Sequence, residues 1–149
     1  MGNHSYHHED LTKLSANTLQ EEIDRTDGIL QKIDGKPRHL LRTPFGCIND
    51  SVRAAAHTPI VSWTVDPLDW TGVSEEQIYQ SIWSKKFDGA IILMHDGYEN
   101  TVKAVKRLLP DLYENGYQVL SVSALSKANN CPLKKGGVYI RARKNGSAK

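Results

Sequence analysis

The chain has 149 residues, enough for one compact domain with a real core. Hydrophobic residues at 39%, charged residues at 24% and a formal charge of +2 are ordinary for a soluble globular protein and imply no polyanion-binding surface, so nucleic acid is not an expected partner. No run of about 18 apolar residues is present to span a membrane, residues 1–20 lack the apolar core of a signal peptide, and two cysteines, Cys47 and Cys131, are too few for a disulfide framework.

In chain order, the first helix is expected after Ser15. Leu19, Ile23, Thr26, Leu30 and Ile33 recur at three- and four-residue steps, and Gly35 stops them. His39 to Phe45 reads as a short strand, and a brief helical piece covers Ser51 to His57. Pro59 to Val65 reads as a buried strand ending at Asp66. Ser74 and Gln77 form a capping-box pattern for a helix to about Lys86, with Ile78, Ile82 and Trp83 inward. Gly89 to Met94 is the most apolar strand. Asn100 is placed to cap a helix bearing Val102, Val105, Leu108, Leu109 and Leu112, kinked at Pro110 and ended at Gly116. Tyr117 to Val122 reads as another strand. Gly136-Gly137 followed by Val138-Tyr139-Ile140 has the pattern of an edge hairpin. The basic residues near the C-terminus (Lys134, Lys135, Arg141, Arg143, Lys144, Lys149) read as a solvated tail. This alternation of helices and strands predicts an α/β fold with a parallel sheet or barrel.

Chemically capable residues recur at the C-terminal ends of the predicted strands, the rim on which parallel α/β folds build their sites. His4 and His8 have a spacing that suits two imidazoles on one cation if the segment makes a single helical turn. The same spacing also suits a His-rich surface, which His7 extends. Arg42-Thr43-Pro44-Phe45-Gly46 combines an arginine at a strand end with a turn that can aim N–H groups into a cleft, or is simply strand and turn. Asp66, Asp69 and Trp70 make a plausible carbohydrate site, since aromatic faces pack on sugar rings; an Asp-Pro turn beside a partly buried tryptophan is the plainer alternative. Leu93-Met94-His95-Asp96 places a histidine directly after a buried strand, suited to acid–base work or to a structural hydrogen bond.

Taken in order, these four motifs resemble the polysaccharide deacetylase family, the NodB-homology domain of carbohydrate esterase family four. The resemblance runs from Gly2 to about Leu125. It implies a distorted (β/α) barrel of the polysaccharide deacetylase type. It also implies a divalent metal, zinc or another transition ion such as cobalt, with His4 and His8 among its ligands. By the same likeness Arg42 orients a catalytic aspartate, and a backbone N–H near Phe45 stabilises the oxyanion. Asp69 tunes and orients His95, Trp70 lines the sugar groove, Leu93 shapes the acetyl pocket, and His95 is the general acid. Phenylalanine stands at position 45 where the family more usually has tyrosine.

One family motif has no counterpart. Thr-Phe-Asp-Asp-Gly supplies the general base and the third metal ligand in such enzymes, and no Asp-Asp pair occurs anywhere in the sequence. The expectation is therefore an N-terminally truncated deacetylase domain over residues 1–125, with an edge hairpin and basic tail over 126–149. The expected activity is impaired removal of acetyl groups from N-acetylated polysaccharide, either peptidoglycan or a chitin-like glycan. The parent protein is expected to work outside the cell or at its surface. A non-catalytic glycan-binding relative of the same fold is the alternative reading. A metal-dependent amide hydrolase for a small molecule is a third, disfavoured by the Asp69-Trp70 pair.

Overall fold

A computed structural model describes residues Met1 to Arg143; part of the expected basic tail, including Lys144 and Lys149, lies outside the described residues. Contacts divide the chain into two compact units. The first is Met1–Ser62 with Leu133–Tyr139, and the second is Trp63–Pro132 with the described residues from Ile140 on.

In the first unit, helix α1 spans Ala16–Asp34. Ser15 caps it by accepting the Thr18 N–H, and Gly35 ends it in the left-handed conformation that glycine adopts without steric cost, its N–H bonded to the Gln31 carbonyl. The buried face differs from the apolar stripe in the sequence. Leu19 and Ile23 are buried, but so are Glu22 and Asp27, while Ile33 is exposed. A short helix, α2 at Asp50–Ala55, is capped by the Asn49 side chain. Leu11, Leu19, Ile23, Leu41, Val52, Ala56 and Ile60 form the core of this unit. Burying such side chains contributes about 1.5–3 kcal/mol each.

The extended segments of this unit are short and parallel. Strand β1, Ile60–Val61, pairs with β2, Val138–Tyr139. Leu41 bridges Asn3 on one side and Ile60 on the other, also in parallel. The expected strand from His39 to Phe45 is therefore reduced to one bridge residue, because Pro44–Gly46 turns away as a single 3-10 turn. Among the described residues the expected C-terminal hairpin gives way to a parallel pairing. Gly136 has φ of 68°, and Gly137 donates to the Lys134 carbonyl. This tight turn sends β2 against β1, far away in sequence, instead of back on its neighbour.

In the second unit, α3 spans Glu75–Lys85 with the full Ser74–Gln77 capping box, and α4 spans Glu99–Glu114. Val65, Ile78, Tyr79, Ile82, Ala104, Leu108 and Leu112 form its core. Tyr98, not Asn100, occupies the N-cap position of α4; the Asn100 side chain instead donates to the Val73 carbonyl. The helix runs through Pro110 to Glu114. Its buried face is Thr101, Ala104, Leu108 and Leu112, while Val102 and Leu109 are exposed.

Residues 117–121 form no strand. Ser121 caps a short helix, α5 at Val122–Ala128, by accepting the Ala124 N–H. The apolar run Gly89 to Met94 and the end of Pro59 to Val65 also meet only at bridges. Val65 pairs with Ile92 in parallel, and Ala90 pairs with Arg141 in antiparallel. One local cause is the Thr64 hydroxyl, which takes the Ile91 N–H and so replaces a main-chain acceptor. No helix among the described residues is long and apolar enough to cross a membrane.

Candidate functional site

The two units each carry a histidine centre. In the first, His4 and His8 come together with ring centroids 4.9 Å apart. No helical turn does this. Ser5 and His8 adopt left-handed φ values of 62° and 58°, and the segment between them bends. Non-glycine residues in that region carry strain that the surroundings must override, a feature concentrated at functional sites.

The surroundings here are a set of acceptors for main-chain N–H groups. Asn3 N–H donates to the Leu40 carbonyl at 2.8 Å. Ser5 N–H donates to Asn3 Oδ1 at 3.0 Å, and His8 N–H to Ser5 Oγ at 3.0 Å. The N–H groups of Tyr6 and His7 both donate to Glu22 Oε2, at 2.9 and 2.7 Å, and His7 Nδ1 bonds Glu22 Oε1 at 2.5 Å. Glu22 is the buried acid on α1 that the apolar periodicity passed over. Burial alone would raise its carboxyl, but the His7 and Tyr6 donors outweigh burial and hold it below the usual carboxylate range.

His4 Nδ1 lies 2.7 Å from the Arg42 carbonyl. A carbonyl only accepts, so this nitrogen carries the proton and Nε2 of the neutral ring carries the lone pair. That is the arrangement by which a second hydrogen bond fixes a metal-binding imidazole. Two imidazoles 4.9 Å apart, one with its tautomer set, fit two positions of a zinc- or cobalt-type ion. Among the described residues no group of three His, Cys, Asp or Glu is assembled, so the set is incomplete as a metal centre.

The neighbouring turn presents Phe45, which has φ of 58° and is 65% exposed. Its ring meets His8 edge to face at 5.0 Å. The N–H groups of Gly46 and Cys47 close the turn onto Thr43 and Pro44. Arg42 is half-buried and directs Nε and Nη2 at the Val61 and Ser62 carbonyls, each at 3.4 Å. Burial pushes its guanidinium down from its ordinary value.

The second unit builds its centre on one carboxylate. Asp69 begins the 3-10 turn Asp69–Thr71 and is 1% exposed. Its Oδ1 takes His95 Nδ1 at 2.8 Å. Its Oδ2 takes the His95 N–H at 2.7 Å and the Thr101 hydroxyl at 2.8 Å. Burial would raise this carboxyl, but the His95 and Thr101 donors together hold it below its ordinary value. An ionised Asp69 accepts only, so Nδ1 of His95 carries a proton and Nε2 is left for chemistry. The His95 side chain is 41% exposed, so a substrate can reach it. Trp70 is exposed beside Asp69, Leu93 is buried with its N–H on the Val65 carbonyl, and Tyr98 meets His95 edge to face at 6.3 Å.

The structure thus brings His4, His8 and Phe45 together in one unit, and Asp69 and His95 in the other. Sequence reasoning missed Thr101, Glu22 and Asn3. Thr101 stands three residues before Ala104 and seven before Leu108 on α4, and that periodic spacing was the available signal. Glu22 and Asn3 gave none, because the groups they bond, the Tyr6 and His7 donors for Glu22 and the Ile23 carbonyl and Asp27 for Asn3, lie 15 to 24 residues away in the chain.

Residues 1–60 match the family model described as polysaccharide deacetylase. Peptidoglycan-N-acetylmuramic acid deacetylase PdaC from Bacillus subtilis is 35% identical over 127 residues, which cover 85% of this chain. The chain spans 27% of the length of that protein. A solved structure described as T48 deacetylase with substrate is 32% identical with a TM-score of 0.86, over 93% of this chain and 68% of that one. A structure of BA3943, described as a carbohydrate esterase family four pseudoenzyme from Bacillus anthracis, is 28% identical with a TM-score of 0.78, over 83% of this chain and 45% of that one.

Proposed function

Because this chain belongs to the polysaccharide deacetylase family and shares its α/β fold, we propose that it serves the hydrolytic removal of acetyl groups from an N-acetylated polysaccharide such as peptidoglycan or a chitin-like glycan. The observation that carries the reading is the pair of His95 and Asp69. An exposed imidazole whose Nδ1 is fixed by a buried, ionised carboxylate is built to hold and release a proton at Nε2. In amide hydrolysis the C–N bond breaks as the nitrogen leaves, and the amine needs a proton. His95 Nε2–H donates it, and Asp69 stabilises the imidazolium beforehand.

Trp70 offers an exposed indole face to a sugar ring, and Leu93 offers apolar surface to the acetyl methyl. His4 and His8 would hold a zinc or cobalt ion, which when bound supplies Lewis acidity toward the acetamide carbonyl. The main chain around Phe45 is the candidate oxyanion donor, and Arg42 is the candidate orienting group for a carboxylate. The sequence has no Asp-Asp pair, so the reading assigns no general base within it.

The test is acetate release from N-acetylated peptidoglycan fragments and chitooligosaccharides with added zinc. It is run on this chain and on a chain carrying a Thr-Phe-Asp-Asp-Gly segment ahead of Met1. Release by the extended chain, lost in His95→Ala, supports the reading. A second reading, glycan binding without catalysis, is favoured by the likeness to BA3943, which is described as a pseudoenzyme of the family. Saturable glycan binding with no acetate from either chain would select it.

A further inference from the structure

Behind the His4–His8 loop runs a buried polar chain that the proposed chemistry does not use. Asn3, Asp27 and His39 are 1%, 3% and 5% exposed. His39 Nδ1 lies 3.1 Å from Asp27 Oδ1, and His39 Nε2 lies 3.1 and 3.2 Å from the two oxygens of Asp34. Asn3 Nδ2 donates to the same Asp27 Oδ1 at 3.0 Å and to the Ile23 carbonyl at 2.9 Å. Asn3 Oδ1 accepts the Ser5 N–H. The other charged group at this cluster is Arg38, whose Nη1 lies 3.6 Å from Asp27 Oδ2 and pairs with Asp24. The Thr58 hydroxyl donates to the His39 carbonyl.

Hydrogen-bond chemistry constrains this chain tightly. A carboxylate accepts and cannot donate, while a neutral imidazole carries only one N–H. His39 faces a carboxylate at each ring nitrogen. Both contacts are hydrogen bonds only if both nitrogens carry protons. A neutral ring would set a nitrogen lone pair against a carboxylate in a water-poor site, where an unmade bond is costly. The same logic orients Asn3. Its NH₂ must face Asp27, so its oxygen must face the Ser5 amide, and that amide opens the left-handed turn bringing His4 and His8 together.

We propose that His39 is a positioning residue for the metal-binding loop: a buried imidazolium that bridges Asp27 and Asp34, locks Asp27 onto Asn3, and through Asn3 fixes the backbone of Ser5. The proposal rests on the reading that His4 and His8 hold a metal, and it supplies the support from behind that such ligands need.

The test uses the full chain. Side-chain ¹⁵N spectra report the protons on His39, amide exchange reports the Ser5 bond, and calorimetric zinc titration reports the loop. Expected are two protonated ring nitrogens at neutral pH, faster Ser5 exchange in His39→Gln, and zinc affinity about 10-fold lower in that variant. Asp34→Asn changes only the outer carboxylate and should shift both readouts in the same direction by less, which keeps the test alive if His39→Gln does not fold. A single protonated nitrogen on His39, or unchanged Ser5 exchange in a folded variant, overturns the proposal. If the native chain takes up no zinc while Ser5 exchange still accelerates in the variant, the metal reading fails and the positioning role stands.

Discussion

The two histidine centres are held by opposite strategies. His4 and His8 are shaped from the main chain, by a row of N–H bonds to Asn3, Ser5 and Glu22 that imposes a strained backbone. His95 is held from its side chain and its own N–H by one carboxylate, Asp69, which also takes the Thr101 hydroxyl. The first arrangement distributes its support, so each bond lost loosens the loop by degrees. The second concentrates it, so one substitution should remove orientation and local stability together. A cation centre needs two rings at a fixed separation, which backbone shape provides. A proton donor needs one ring nitrogen held so that the other faces outward, which a buried carboxylate provides.

The sharpest way to break this contrast is Asp69→Asn. An amide there cannot accept three donors as the carboxylate does. Deacetylation by the chain that carries the Asp-Asp segment should fall by about 10²–10⁴-fold, the range for losing acid–base help. Stability should drop by about 1–3 kcal/mol in urea unfolding. Activity near the native level would mean that the pair is structural.

Glu22→Gln probes the distributed centre. Exchange of the Tyr6 and His7 amides should quicken, and unfolding should cost about 1–3 kcal/mol less, since one buried acceptor serves three donors. The Asp69–His95 bond should be unaffected, which ¹⁵N spectra of the His95 ring would check.

Acid titration separates the effects further. Asp69 has its carboxyl depressed in the folded chain, so it stabilises the fold at pH above its unfolded value of about 4. That contribution is lost as pH falls through the lower folded value. Glu22 behaves in the same sense. Circular dichroism should therefore show stability steady from neutral pH and falling below about pH 4. The smallest expected effect belongs to Thr101→Val. Loss of one hydroxyl donor should cost about 1 kcal/mol. It should also move the acid transition to higher pH, because that donor helps to depress Asp69. A transition at unchanged pH would remove Thr101 from the account.

Features that depend on neighbours in the chain were legible in the amino-acid order. The Ser15 and Gly35 caps of α1, the Ser74–Gln77 box of α3 and the cores around Ile78, Ile82 and Leu108 are local, since a cap or a periodic face is written within a few residues. The four ordered motifs likewise point to the family and to His95 with Asp69. Pairings between distant segments were not legible. Val138–Tyr139 could have folded back as a hairpin, and only the turn at Gly136 with the open edge of Ile60–Val61 decided otherwise. The run from Tyr117 reads as a strand by composition, yet the Ser121 cap makes a helix of its end. The face of α1 turned on Glu22 and Asp27, polar residues buried because main-chain N–H groups and an imidazole elsewhere needed acceptors. A buried acid is stable only beside its donors, and where those donors lie is a property of the tertiary structure.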